Sequence, residues 1–518
     1  MSGKPSFYVT TPIYYVNDNP HIGHAYTTLA CDVMARFKRL DGFDVMFLTG
    51  TDEHGQKVEK AAEAAGMDPL SFCDGVSANF RILAKEWNFS NDDFIRTTEP
   101  RHVESVQALW RKLVESGDIY LDHYEGWYAV RDEAFYAEDE LTVSPDGQKV
   151  APSGAPVEWV KEPSYFFRLS AWQDRLLELY KTRPDFILPE SRRNEVTSFV
   201  AGGLRDLSVS RTSFSWGIPV PDDPDHIMYV WIDALTNYIT AAGFPDENGE
   251  TFGKWWPALH IMGKDILRFH AVYWPAFLMA AGIDVPKLIY AHGWWTSEGQ
   301  KISKSLGNVI VPSEIVARYG LDQVRYTLMR EVNFGNDGDF SHRGAVQRCN
   351  HDLANDYGNL AQRSLSMIAK NCEGRVPEHG DFTQADRALL DKSYGLLDVC
   401  RGHIDVQAFH LMLQAIWDVI GDANRYVDDQ APWALKKTDP ARMATVLYVL
   451  AENIRHLALL TQPVMPDTSA RLLDQLVIGE DARDFNALSP DHALVPGTEL
   501  PKPQGVFPRY VEEEEGAA

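Results

Sequence analysis

Residues 6–55 read SFYVTTPIYYVNDNPHIGHAYTTLACDVMARFKRLDGFDVMFLTGTDEHG, and the fold class turns on them. Residues 6–10 are rich in β-forming side chains. After Pro12 and the Asn17-Asp18-Asn19-Pro20 turn, apolar residues recur at Ala25, Leu29, Val33, Phe37 and Leu40. That spacing predicts a strand, a loop and an amphipathic helix. Asp41-Gly42 ends the helix, and residues 44–48 form a second apolar strand that runs into the polar loop 49–55. A β-α-β start implies a parallel sheet, whose ligands gather beyond the C-terminal ends of its strands.

Working outward, the texture changes between about residues 117 and 226. Tyr120, Tyr124, Trp127, Tyr128, Phe135 and Tyr136 stand among turns such as Ser144-Pro145-Asp146-Gly147, as in short antiparallel hairpins. Strand-like segments return at 227–232, 259–262 and 287–291, with a helical pattern at 266–279, so the sheet is expected to be split in sequence by an insertion. From about residue 345 the period is helical almost throughout, for example at 388–397 and 443–459, which predicts a separate helix bundle. The closing run Glu512–Glu515 reads as a solvated acidic tail.

A chain of 518 residues is too long for one core, and at roughly 150 residues per domain three or four domains are expected. Its formal charge of −25 argues against a polyanion binder held by bulk electrostatics, so any nucleic acid must meet local basic patches. The five cysteines, Cys31, Cys73, Cys349, Cys372 and Cys400, are scattered and never spaced C-x-x-C, which suggests neither a disulfide framework nor an all-cysteine zinc site. No apolar leader opens the chain, and the longest near-apolar run, 271–283, falls short of the ~18 residues of a membrane span. A cytoplasmic protein without membrane contact is expected.

His21 and His24 stand three apart with Gly23 between them and Pro20 in front. Metal ligation by a histidine pair ordinarily uses i,i+4 spacing and a third ligand, and a satisfied structural role is open to both rings. Their place at a helix N-terminus offers a third reading, a cradle for an anion, because free N–H groups and the helix dipole favour negative charge there and Gly23 lets a flat group approach. A second constellation lies far downstream in 298–308, EGQKISKSLGN, where Lys301 and Lys304 are three apart. Alone it reads as a solvated turn. Lysine is a mobile point charge suited to following a phosphate through a reaction. As a pair, HIGH and KISKS resemble the two hallmark motifs of class I aminoacyl-tRNA synthetases, with isoleucine replacing methionine in the second.

The stretches TTPIYYVNDNPHIGHAYTT, LTGTDEHG (48–55), YVWIDALTNYI (229–239) and IMGKDILRFHAVYWPA (261–276) resemble the methionyl-tRNA synthetase family, over nearly the whole chain. The resemblance implies a Rossmann-like parallel-sheet catalytic domain split by a connective insertion and followed by an all-α anticodon-binding helix bundle. It divides the chain into 1–115 and 227–295 (catalytic halves), 116–226 (connective), 296–349 (lysine loop and linking region) and 350–518 (anticodon-binding). Position by position, it implies that Ile13, Tyr15, Trp231, Ala234, Leu235, Tyr238, Ile266 and His270 line a methionine pocket. The chemistry agrees, since a soft thioether gains sulfur contacts from aromatic walls. Asp52 would face the α-ammonium of methionine, a charge-assisted bond; a turn cap is its other reading. Arg211 would assist activation, with a surface salt bridge as the alternative.

The implied reaction joins L-methionine to tRNA(Met), including the initiator, with ATP and Mg2+ as the substrate complex. His21, Gly23, His24, Lys301 and Lys304 would hold ATP and balance charge on its phosphates. Asn359, Arg363 and Trp433 match the family's anticodon-contacting segments, although Trp433 after Pro432 also reads as packing at a helix entry. Where family members carry a zinc knuckle of cysteines, this sequence has Ala129, Asp132, Ala151 and Ser153, a poor tetrahedral set, so no structural zinc is expected. The absence of a β-rich appended domain favours a monomer. Two rivals stay open: a nucleotidyltransferase of the same superfamily acting on a metabolite, and a tRNA-binding paralogue without chemistry.

Overall fold

The computed structural model describes residues 3–132, 134–144, 146–302 and 307–512. The chain divides into two compact units that cut across sequence order. One comprises Met1–Pro5, His21–Val45 and Gly293–Ala518; the other comprises Ser6–Pro20 and Met46–His292.

The second unit is built on a mainly parallel sheet that has seven strands among the described residues. From one edge it runs Ile187–Leu188, Leu288–His292, Leu259–Gly263, β1 (Ser6–Thr10), β3 (Asp44–Asp52) and β2 (Tyr14–Tyr15), with β4 (Asp93–Arg96) also pairing with β3. Val45 through Asp52 are all buried, as in a strand covered on both faces. Only glycine fits at position 50, because a Cβ there would lie 2.0 Å from the Ile95 carbonyl oxygen on β4. Helices α2 (Gln56–Ala65), α3 (Pro69–Glu86) and α4 (Pro100–Glu115) follow from β3 onward.

The aromatic segment expected to form hairpins does so: Ile119–Ala129 and Glu158–Phe167 pair antiparallel from Ile119↔Phe167 to Tyr128↔Glu158. The segment also contributes Ile187–Leu188 as the edge strand of the parallel sheet, pairing with Ile289 and Tyr290. Two residues carry too little pattern to be read as a strand from sequence. The expected strand at 227–232 is corrected: a strand ends at Met228, and helix Val230–Ala242 begins in the same apolar run. Short apolar runs do not distinguish the two states by period. The helical pattern at 266–279 is present as one helical run from Lys264 to Ala280, tight over Lys264–Ile266 and widened to π-type turns over Phe269–Tyr273.

In the first unit, α1 (Ile22–Leu40) joins a helical assembly that includes Leu321–Glu331, Phe409–Gln430 and Pro440–Thr461. Asp32 and Arg325, both fully buried, meet at 2.6 Å, and Arg325 also donates to the carbonyls of Pro463 and Val464. Lys38–Asp405 and Arg401–Asp41 add two more ties between α1 and the later helices. Pro440–Thr461 is long and apolar enough to cross a membrane by length and composition, a feature the longest-run criterion missed, but 94% of that window is buried inside the fold. It is the core helix of the bundle, buried on all sides, and its charged residues Glu452 and Arg455 pair with each other inside the fold.

Candidate active site

Candidate residues fall in both units, and each group is built by its own elements. In the first unit, α1 opens on a capping box made of two histidines. His21, in extended conformation, is the N-cap; its Nδ1 accepts the Gly23 N–H at 3.1 Å, and His24 Nδ1 accepts the His21 N–H at 3.1 Å. The rings lie 3.9 Å apart, centroid to centroid. A reciprocal pair of this kind normally uses Ser/Thr and Glu. With imidazoles it fixes the tautomer: each Nδ1 is an acceptor, so the proton of each neutral ring sits on Nε2. Burial, and secondarily His21, pushes the His24 pKa well below the usual imidazole range, which keeps the acceptor available. Two Nε2–H donors thus stand at the positive end of a 19-residue helix. A Cβ at position 23 would lie 2.9 Å from His21 Cε1, so a side chain there would push the capping ring aside.

Lys301 is exposed on the short strand Gln300–Lys301, which pairs with Trp295–Ser297. Trp295 packs edge-on against Tyr26 of α1 at 5.2 Å, which ties the strand pair to the helix carrying the histidines. Lys304 lies outside the described residues. Farther along the same unit, Asn359 is exposed, Trp433 is 51% exposed, and the Arg363 guanidinium lies 5.9 Å from the Trp433 ring while bonding Asp428 at 3.2 Å.

In the second unit, three separate segments enter or border the main hydrophobic core: Ile13 and Tyr15; Trp231, Leu235 and Tyr238; and Ile266. Leu235 and Tyr238 are buried within it, whereas Ile13, Tyr15, Trp231 and Ile266 are partly buried around it. Ala234 is buried on the same helix. His270 Nδ1–H donates to the Ile266 carbonyl at 3.0 Å, so its Nε2 accepts from Tyr238 Oη at 2.6 Å. Burial lowers the His270 pKa to about 4, and the ring is neutral near pH 7. Asp52, 5% exposed, pairs in register with Tyr15 across β2 and β3. Arg211 is not a surface residue: it is 2% exposed, donates to Ser208 Oγ and the Ser210 carbonyl at 2.7 Å each, and lies 4.7 Å from the Tyr229 ring.

The sequence reading missed Phe269, which stacks on Trp231 at 3.6 Å and 8°, and a buried ionic group in which Asp233 joins His54 and His102. A carboxylate inside the apolar run VWIDALTNYI was the signal available for Asp233. In the hairpin region, Ala129, Ala151 and Ala155 form a small apolar cluster, and Asp132 is engaged by Tyr136 Oη and Ser153 Oγ. Alanines offer no ligand atom. These positions therefore do not fit a tetrahedral zinc.

Residues 7–365 match the family model of class I tRNA synthetases (M), and residues 376–517 match the anticodon binding domain of methionyl tRNA ligase. The methionine–tRNA ligase of Mesorhizobium japonicum is 58% identical over 98% of this chain and 99% of its own length, and that of Rickettsia felis is 56% identical over 98% and 99%. The Mycobacterium tuberculosis methionyl-tRNA synthetase in complex with methionyl-adenylate superposes with a TM-score of 0.95 at 55% identity, over 98% of this chain and all of that one. Its apo form gives 0.90 at 52% identity. By fold, by both family models and by identity over its whole length, the chain belongs to the methionine–tRNA ligase family of class I aminoacyl-tRNA synthetases.

Proposed function

We propose that the chain joins L-methionine to tRNA(Met), initiator included, in two steps. In the first, a methionine carboxylate oxygen attacks the α-phosphorus of magnesium-bound ATP; the bond to the bridging oxygen of the β-phosphate breaks, and pyrophosphate leaves. In the second, the 2′-hydroxyl of the terminal adenosine attacks the methionyl carbonyl, AMP leaves and its phosphate takes the hydroxyl proton. No side-chain nucleophile is required. Catalysis is placement and compensation of charge on phosphate oxygens. That work falls to the Nε2–H groups of His21 and His24, to Lys301 and Lys304, and to Arg211 as a buried cation.

The observation that carries the substrate is a linked group on the core: Trp231 stacks on Phe269, and Tyr238 bonds His270, which bonds the Ile266 carbonyl, with Asp52 in register beside Tyr15. Aromatic and aliphatic walls suit a thioether, and a buried carboxylate suits an α-ammonium. His270, held neutral, adds no competing charge. Asn359, Arg363 and Trp433 supply an amide, a guanidinium and an exposed aromatic face for unstacked anticodon bases. The alanine positions in the hairpin region support a zinc-free connective segment. Five cysteines without a disulfide among them suit the cytoplasm.

Pyrophosphate exchange into ATP, measured across the twenty amino acids, tests the reading. Exchange with methionine alone is expected. Exchange supported by a different metabolite, or none with any amino acid, refutes it.

A further inference from the structure

The loop that follows β3 is fixed from two sides. Glu53, fully buried, accepts hydrogen bonds from Thr51 Oγ1 (2.7 Å), Arg96 Nε (2.6 Å) and Thr98 Oγ1 (2.5 Å), while its own N–H donates to Thr97 Oγ1 (2.9 Å). Trp216 Nε1–H donates to its carbonyl at 2.6 Å. His54 is held from the other side: its Nδ1 meets Asp233 Oδ2 at 2.7 Å, and its carbonyl accepts from Tyr15 Oη at 3.0 Å. The second oxygen of Asp233 meets His102 Nε2 of α4, also at 2.7 Å. Asp233 is 1% exposed and therefore depends on these two imidazoles for its charge.

What the bond connects gives it meaning. Asp52 immediately precedes Glu53 and His54, so locking their backbone locks its own. Asp233 stands between Trp231 and Ala234 on helix Val230–Ala242, the element that also carries Leu235 and Tyr238. We propose that Asp233 is a positioning residue for amino-acid binding: through His54 it sets the spacing between the carboxylate that meets the α-ammonium and the helix wall that meets the side chain. The inference rests on the reading of Asp52 and residues 231–238 as methionine-binding. His102 gives the carboxylate a second anchor on a third element, so Asp233 cannot turn with His54 if the loop moves. An amide in its place has one acceptor and one donor; one histidine must then change tautomer, and the charge attraction is lost to both.

The test is methionine-dependent pyrophosphate exchange with Asp233→Asn, His54→Ala, Asp52→Asn and the double variant Asp52→Asn/Asp233→Asn. The expected result for Asp233→Asn is a rise of about tenfold or more in KM for methionine with KM for ATP changed less than about twofold. His54→Ala should give the same split from the loop side, and it decides the matter if Asp233→Asn does not fold. The double variant should raise KM for methionine little beyond Asp52→Asn alone, because Asp233 acts through that carboxylate. Equal losses for both substrates together with a lowered melting temperature, or effects that simply multiply in the double variant, overturn the proposal. An unchanged KM for methionine in Asp52→Asn overturns the underlying reading instead, whatever Asp233 does.

Discussion

Replacing Arg325 by methionine should come close to unfolding the unit that carries the two histidines. The guanidinium is fully buried and donates to Asp32 Oδ2 at 2.6 Å, to the Val464 carbonyl at 2.8 Å and to the Pro463 carbonyl at 3.0 Å. Methionine fills similar space but satisfies none of them. Breaking one side of a buried ion pair costs ~3–5 kcal/mol. Arg36 still bonds Asp32 at 2.8 Å, so the lower end applies. Each carbonyl that loses its partner adds about 1 kcal/mol, for a total of about 5 kcal/mol. Domains are stable by only ~5–15 kcal/mol.

The assay is urea unfolding followed by tryptophan fluorescence and far-UV circular dichroism, with Arg325→Lys as the comparison. Lysine keeps the charge but cannot serve Asp32 and two carbonyls through one planar fork, so an intermediate loss is expected. Activity should follow stability, because the pair anchors the helix whose first turn holds His21 and His24. A loss below about 1 kcal/mol in Arg325→Met would show that the pair does not hold α1, and the reasoning would fail.

Trp433→Ala should lower tRNA charging roughly ten- to a hundredfold, the worth of one base stacked on an aromatic ring, with methionine-dependent exchange near normal; parallel losses with a lower melting temperature would make it a packing residue. Stability should fall as pH drops from 6.5 towards 4, because burial lowers the His270 pKa to about 4 and pushes those of His24 and His260 well below the ordinary value. These rings bind protons more readily unfolded, so their stabilisation is complete above pH 6.5 and is lost below it, His270 alone accounting for about 3 kcal/mol. Asp233 behaves differently: burial would raise its pKa, but His54 and His102 bring it down to about 2, so its share is lost only between pH 3.8 and 2. A urea midpoint that stays flat from pH 7 to pH 5 contradicts the histidine assignment. Metal analysis of protein purified without chelators should find no bound zinc; one zinc per chain would reverse the reading of Ala129, Asp132, Ala151 and Ser153.

Much of this was legible in the order of residues, for identifiable reasons. The β-α-β start could be read because period, turn residues and the Asp41-Gly42 stop all agree locally. The histidine pair stood out because two side chains of one chemistry sit where a helix has unsatisfied N–H groups. What local pattern does not carry was lost. Ile187–Leu188 is only two residues long, and it is a strand because Leu288–His292 offers it an edge. Val230 could have continued a strand or begun a helix, and packing decided in favour of the helix.

The same distinction separates the groups proposed to touch substrate from those that hold them. Asp52 and Trp231 lie in family-specific stretches and could be named from sequence. Asp233 sits two residues from Trp231 and drew no notice, since its partners, His54 and His102, are 179 and 131 positions away. Arg325 meets Asp32 across 293 positions. A buried charge needs a partner wherever the fold can bring one, and neither periodicity nor spacing encodes that distance. The residues that position the site are therefore the ones hidden from a linear reading, and unpaired-looking charges inside apolar helices are where to search for them.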